Sequence, residues 1–293
     1  MRVLITGGAG QLGTELAGVC SAANDEVLLA GREILDIASR DQTLQVVEAF
    51  GPDVVMHCAA WTDVDGCERD PDRAYGVNAL GSRNVAESVA LRRGRTRLVS
   101  VSTDYVFNGV GGGAHGGVPY TEWDEPGPLS MYGRSKLAGE REIIAILGPD
   151  AAIVRTSWVC GRFGKNFVKT MHGLATAHPS NPVTVVNDQV GCPTFTGDLA
   201  RHLRMLAVGR YPGTFHVSNQ GALSWCDFAR AIFTGSGCDP ERVIPIPSSE
   251  LQPPRPAPRP SFSVLDNAAL RGLGLKAMPS WEQALADTIR AIS

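Results

Sequence analysis

"VLITGGAGQLGTEL", residues 3–16, runs from an aliphatic stretch through a glycine-rich turn into helix-forming sequence, and that order decides the fold. Gly7, Gly10 and Gly13 stand at G-x-x-G-x-x-G spacing. In a strand-to-helix turn such glycines allow a tight reversal, let backbone approach a pyrophosphate, and let the helix pack closely on the strand, while free N–H groups at the helix start attract the anion. A purely structural turn also tolerates this pattern. Its place in the first βα turn of a repeating βα series favours the dinucleotide loop.

Working outward, short apolar runs alternate with helical patterns as far as residue 157. Strands are expected at "RVLIT" (2–6), "EVLLA" (26–30), "DVVMHCA" (53–59), "RLVSVS" (97–102) and "AAIVRTS" (151–157). Helices fit between them at 11–21, 40–50, 71–92 and 129–147. Nearly continuous apolar strands are buried on both faces, as in a parallel sheet. The fold class is therefore α/β, a Rossmann-type doubly wound parallel sheet with a smaller C-terminal α/β substrate lobe. Residues 1–157 form the dinucleotide-binding domain; 158–293 form mainly the substrate lobe, with some segments returning to the first core. "PSSELQPPRPAPRPSFS" (247–263) reads as an extended segment laid across the fold, and the glycine-rich 109–118 stretch as a mobile loop.

Composition narrows the function. Among 293 residues, 27 basic and 30 acidic side chains leave a formal charge of −3, with no basic stripe for a phosphate backbone, so nucleic acid is not an expected partner. The chain opens directly into a strand, and no uncharged apolar run approaches membrane-spanning length, so the expectation is a soluble, cytoplasmic protein. Seven scattered cysteines without C-x-x-C spacing suggest reduced thiols, and no histidine or cysteine pattern suggests a metal site.

Two further stretches carry chemistry. At the end of the second strand, "LLAGREILD" places Gly31 and Arg32 where an acid usually binds ribose hydroxyls. Arg32 can meet a 2′-phosphate, which favours NADP(H) and leaves NAD(H) open; it can equally be a solvated cation. Asp36 and Ile37 follow, within reach of the adenine. In "MYGRSKLAGE" (131–140), Tyr132 and Lys136 lie at i and i+4 on one helix face. A lysine ammonium there is expected to lower the tyrosine pKa from about 10 and so make a general acid. The fourth strand, ending "VSVSTDYVF", brings the Ser102 and Thr103 hydroxyls to the sheet edge where ligands bind in such folds.

Glycine loop, strand-end hydroxyl and Tyr/Lys helix, in that order, resemble the extended short-chain dehydrogenase/reductase superfamily. The motifs "STDYVFNG", "VRTSWVCG", "GKNFVKTM", "NDQVGCPTFTGDLA", "GTFHVSNQG" and "RPAPRPSFSVLD" make the whole chain similar to the dTDP-4-dehydrorhamnose reductase family within it. The resemblance implies catalytic residues Thr103, Tyr132 and Lys136. It implies cofactor contacts at Gly10, Gln11, Leu12, Asp36, Ile37, Ala60, Trp61 and Thr62, together with Tyr132 and Lys136. For the nucleotide sugar it implies Thr103, Asp104, Tyr105, Trp158 and Asn166. The implied reaction is NADPH-dependent reduction of the C4 keto group of dTDP-4-dehydro-β-L-rhamnose to dTDP-L-rhamnose. Another dTDP-4-keto-deoxysugar, or a non-catalytic NADP-binding regulatory subunit, are the alternatives. A homodimer and a divalent cation are left open by the resemblance, with Glu15 the one acidic residue that matches.

Overall fold

Val3 and Ile5 face one side of the first strand and Leu4 the other, and all three are fully buried, so that strand is covered on both faces. The computed structural model describes residues 1–113, 116–177 and 180–292. Its first part runs β1 (Arg2–Thr6), α1 (Gln11–Ala22), β2 (Glu26–Ala30), α2 (Arg40–Phe50), β3 (Val54–His57), α3 (Val64–Arg69), α4 (Pro71–Tyr75), α5 (Gly81–Ala90), β4 (Arg97–Thr103), α6 (Met131–Leu147) and β5 (Ala151–Thr156). The rest comprises β6 (Val159–Cys160), α7 (Phe167–Ala177), β7 (Val183–Val186), β8 (Val190–Gly191), β9 (Thr194–Phe195), α8 (Thr196–Gly209), β10 (Gly213–His216), β11 (Leu223–Ser224), α9 (Trp225–Gly235), β12 (Val243–Ile246), α10 (Ala268–Gly272) and α11 (Trp281–Ile292).

The main sheet has the order β10-β5-β4-β3-β1-β2, and every neighbouring pair is parallel. The order in which successive strands are added across the sheet reverses between β1 and β3, and the crevice beyond their carboxyl ends is where a doubly wound sheet binds its ligand. One face packs Val3, Ile5, Val54, Met56 and Val154 against Leu12 and Leu16 of α1 and Leu199, Leu203 and Leu206 of α8. The other packs Leu4, Val55, Leu98 and Ile153 against Val47 of α2, Val85 and Val89 of α5, and Ile143 and Leu147 of α6. The chain beyond residue 157 thus supplies both a sheet strand, β10, and a covering helix, α8. Its remaining elements build a separate core in which Val168, Phe195, Phe228, Ile232, Phe233 and Leu285 are buried together.

The helix expected over 71–92 is divided. α4 ends at Tyr75, a π turn spans Gly76–Leu80, and α5 starts at Gly81. In that turn the Asn78 side chain reaches out of the helix to clasp the Trp61 backbone, accepting from its N–H at 2.8 Å and donating to its carbonyl at 3.1 Å. A π turn often marks a functional site. The proline-rich 247–263 passage lies across the fold: Phe262 donates its N–H to Gly109, Val190 donates to Ser261, and Arg259 pairs with Asp65. The glycine-rich 109–118 stretch is tied at its flanks, with Gly112 donating to the Val118 carbonyl and Gly117 to the Val110 carbonyl; Ala114 and His115 lie outside the described residues. No helix among the described residues is long and apolar enough to cross a membrane.

Candidate active site

At the carboxyl ends of β1, β3 and β4 lies a cleft of about 800 Å³. Gly7, Gly10, Gln11, Leu12 and Gly13 line its floor. Gly7 has φ +69°, and a Cβ there would stand 2.8 Å from the Ala59 Cα; a Cβ on Gly13 would stand 2.5 Å from the Gly7 carbonyl oxygen. α1 begins behind Gly10 with no side-chain cap, so its first amides are presented at the glycine turn as a cradle for an anion. Arg32, Asp36 and Ile37 line one end of the cleft. The Arg32 guanidinium pairs with Asp36 at 3.1 Å and is three-quarters exposed. It can turn to a phosphate by breaking one solvated contact.

Ala60, Trp61 and Thr62 follow β3 along the wall. Asn78 fixes this segment and also donates to the Ser135 hydroxyl at 3.0 Å, so the wall is tied to α6. The Arg73 guanidinium lies 4.3 Å from the centre of the Trp61 ring.

Thr103, Tyr132 and Lys136 line the middle of the same cleft. Thr103 closes β4, and Tyr132 is the second residue of α6, whose start is capped by Ser130 accepting the Gly133 N–H at 3.2 Å. Gly133 allows the helix to lie against the strand end: a Cβ there would be 2.1 Å from the Tyr105 carbonyl oxygen. Tyr132 is 8% exposed and Lys136 5%. The lysine donates to the Val101 carbonyl at 2.9 Å. Burial lowers its pKa to about 8, opposed by the charge of Glu140. The expectation of a depressed tyrosine pKa is corrected. Burial raises the Tyr132 pKa, with a hydrogen bond to Thr103 as the main opposing influence. A phenolate loses its hydration in this site and the ammonium is committed to a carbonyl, so the phenol keeps its proton.

Asp104 and Tyr105 also face the cleft. Burial raises the Asp104 carboxyl to about 6 and the Tyr105 phenol to about 12. Thr103 Oγ1 donates to Asp104 Oδ1 at 3.1 Å, and the Tyr105 ring stands edge-on to Tyr132 at 5.6 Å. Trp158, just beyond β5, lines the cleft as well. Asn166 does not. Its amide donates to Gly161 O at 2.7 Å, Gln11 Oε1 at 3.3 Å and Phe163 O at 3.3 Å, while its oxygen accepts from Lys169 N at the start of α7. Its side chain joins α7 to the glycine loop, next to Gly164 and Lys165, which do line the cleft.

Against known proteins, the family model of the RmlD substrate binding domain matches residues 1–293. The chain belongs to the RmlD substrate binding domain family. A Mycolicibacterium smegmatis protein named dTDP-4-dehydrorhamnose reductase is 43% identical over 293 residues, covering 99% of this chain and 86% of that one. A solved dTDP-4-dehydrorhamnose reductase from Clostridium acetobutylicum superposes with a TM-score of 0.91 at 41% identity, over 99% of both chains. One from Bacillus anthracis, in complex with NADP, also gives 0.91 at 38% identity, over 99% of this chain and 98% of that one.

Several cleft residues of this RmlD-family chain escaped the sequence reading. Arg73 and Lys165 line the wall, as does Trp225 at the start of α9. Arg73 had a signal of sorts, a cation near the start of the helix expected over 71–92. Trp225, far along the chain, had none, because only tertiary folding brings it beside Trp158.

Proposed function

We propose that this chain reduces the C4 keto group of dTDP-4-dehydro-β-L-rhamnose with NADPH, giving dTDP-L-rhamnose. The observation that carries the reading is that one cleft joins the glycine cradle to Thr103, Tyr132 and Lys136. NADP is present in the related Bacillus anthracis structure, and the cleft here fits it: glycines where side chains would clash, uncapped helix amides for the pyrophosphate, and Arg32 for the 2′-phosphate. When bound, the nicotinamide supplies the hydride that C4 accepts.

As C4 is reduced, negative charge grows on O4. Tyr132, held protonated by burial, donates its proton to O4. Thr103, its hydroxyl turned from Asp104 toward the substrate, donates to that oxygen and steadies it. Lys136, anchored on the Val101 carbonyl, brings a positive charge to the nicotinamide ribose and balances the phenolate left behind. Asp104 and Tyr105 contact the sugar, and Trp158 offers it an apolar face. In this reading residues 1–157 bind the nucleotide cofactor and 158–293 mainly bind the sugar. The enzyme works in the cytoplasm, where its seven free thiols stay reduced.

The test is NADPH oxidation with enzymatically made dTDP-4-dehydro-L-rhamnose on wild type and Tyr132→Phe. Turnover is expected in wild type, with a loss of about 100-fold or more in the variant and unchanged NADPH binding. A folded wild type that binds NADPH and leaves it unoxidised overturns the reading.

A further inference from the structure

Trp158 has a left-handed backbone, φ +46°, which is uncommon for a large aromatic residue and persists only where surroundings enforce it. Three contacts do so. The indole of Trp225 stacks on it with ring centres 3.6 Å apart and planes within 10°. On another side lies Gly191, where a Cβ would stand 2.5 Å from the Trp158 ring. The Trp158 carbonyl accepts the Thr194 N–H at 3.3 Å.

The two residues that grip the indole are themselves joined. Gly191 in β8 pairs with Leu223 in β11, two residues before Trp225, and Ser224 caps α9 by accepting the Asp227 N–H at 3.0 Å. Behind Trp225, Phe167 presents its edge at 4.6 Å and Phe228 is fully buried. Trp225 therefore has a fixed backing, while it and Trp158 both remain half-buried and both line the cleft. A core aromatic pair would have no need of a strained backbone at the cleft wall, nor of a glycine pressed against the ring.

We propose that Trp225 and Gly191 form a clamp that holds the Trp158 indole as a rigid wall for the hexose of the nucleotide sugar, making Trp225 a positioning residue for substrate. This rests on the proposed reductase reading. The clamp acts on the sugar alone. Gly7 to Gly13 and the Ala60–Thr62 segment hold the cofactor elsewhere in the cleft, so NADPH affinity is independent of it.

The experiment compares wild type, Trp225→Leu, Trp225→Phe and Gly191→Ala in steady-state NADPH oxidation with dTDP-4-dehydro-L-rhamnose, alongside NADPH binding by fluorescence. Trp225→Leu raises the KM for the sugar nucleotide roughly three- to tenfold, the scale of one aromatic stack, with kcat nearly unchanged because ground state and transition state lose the same contact. Trp225→Phe falls between Leu and wild type. Gly191→Ala, whose new methyl presses on the ring directly, raises KM in the same way, and the double variant is no worse than the poorer single one, as expected when both act through Trp158. NADPH affinity stays within about twofold of wild type in each, since none of them touches the cradle. An unchanged KM in a variant with a cooperative melting transition overturns the clamp, as does a KM rise matched by an equal loss of NADPH affinity. Should Trp225→Leu fail to fold, Trp225→Phe and Gly191→Ala decide by the same criteria. A wild type without turnover overturns the reductase reading and the clamp with it; an active wild type with indifferent variants overturns the clamp alone.

Discussion

Replacing Gly133 by alanine sets two well-defined effects against each other. In the middle of an exposed helix the change would stabilise by about 0.5–1 kcal/mol, since glycine is a poor helix former. Here the new Cβ would lie 2.1 Å from the Tyr105 carbonyl oxygen and 3.0 Å from the Pro128 Cβ. Carbonyl oxygen is part of the backbone and cannot rotate away, so the start of α6 must withdraw from the end of β4 by roughly 1 Å to restore an ordinary contact. Tyr132 and Lys136 ride on α6, whereas Thr103 and Asp104 stay with β4. A misplacement of about 1 Å between groups that must converge on one oxygen costs on the order of 100-fold in rate. The expected result for Gly133→Ala is a kcat down about 100-fold with NADPH affinity nearly intact, measured by stopped assays of NADPH oxidation and by fluorescence titration. A variant with kcat within threefold of wild type would refute the close approach of α6 to the strand end as the device that assembles the site.

Stability should fall with acid below neutrality. His57, hydrogen-bonded to Thr6 and Ser82, and His216 are both held neutral by burial, their pKa values pushed down to about 3. Between that value and about 6.5 the unfolded chain binds protons that the folded one refuses, so the urea midpoint drops from pH 7.5 to pH 5; an unchanged midpoint would contradict it. Glu140 and Arg155 form a buried ion pair at 2.7 Å, with Ser102 also donating to the carboxylate. Arg155→Met leaves an unpaired buried charge and costs about 3–5 kcal/mol in denaturant unfolding, whereas the Glu140→Leu/Arg155→Met pair costs clearly less. Arg32→Ser weakens NADPH binding roughly tenfold and leaves NADH binding unaltered, since only a 2′-phosphate meets the guanidinium; equal losses for both cofactors would remove Arg32 from that role.

Strands β1, β3, β4 and β5 were legible because burial on both faces leaves unbroken aliphatic runs such as "VLI" and "AAIV". The glycine loop and the Tyr132/Lys136 pair were legible for a different reason: each is a local device whose spacing is its geometry. What escaped depends on contacts between distant segments. The π turn at Gly76–Leu80 goes with a side-chain clasp from Asn78 to Trp61, which no helical periodicity encodes. α3 was missed because Val64–Arg69 is too short for a periodic signal. Trp225 meets Trp158 only through the β8–β11 pairing. The tyrosine pKa went the other way because sequence spacing reveals a neighbouring cation but not the depth of burial, and here burial raises it. Asn166 suits a sugar contact by type, and only the fold reveals that its amide also ties α7 to Gln11 of the glycine loop.

The return of the chain to the main sheet at β10 has a bearing on how the molecule is made. β5 pairs with β4 on one side and receives its other neighbour only when Gly213–His216 arrives beside Ala152–Arg155. During synthesis from the N-terminus, the segment from 157 to 212 must emerge first, and throughout that interval β5 offers a row of open backbone groups to any passing strand. α8, which covers the apolar face of β1 and β3 alongside α1, arrives just before β10. A ribosome that stalls in the intervening stretch would expose both an unpaired edge and an uncovered aliphatic surface, so a shortened product ending near residue 157 is a substrate for chaperones rather than a smaller cofactor-binding protein.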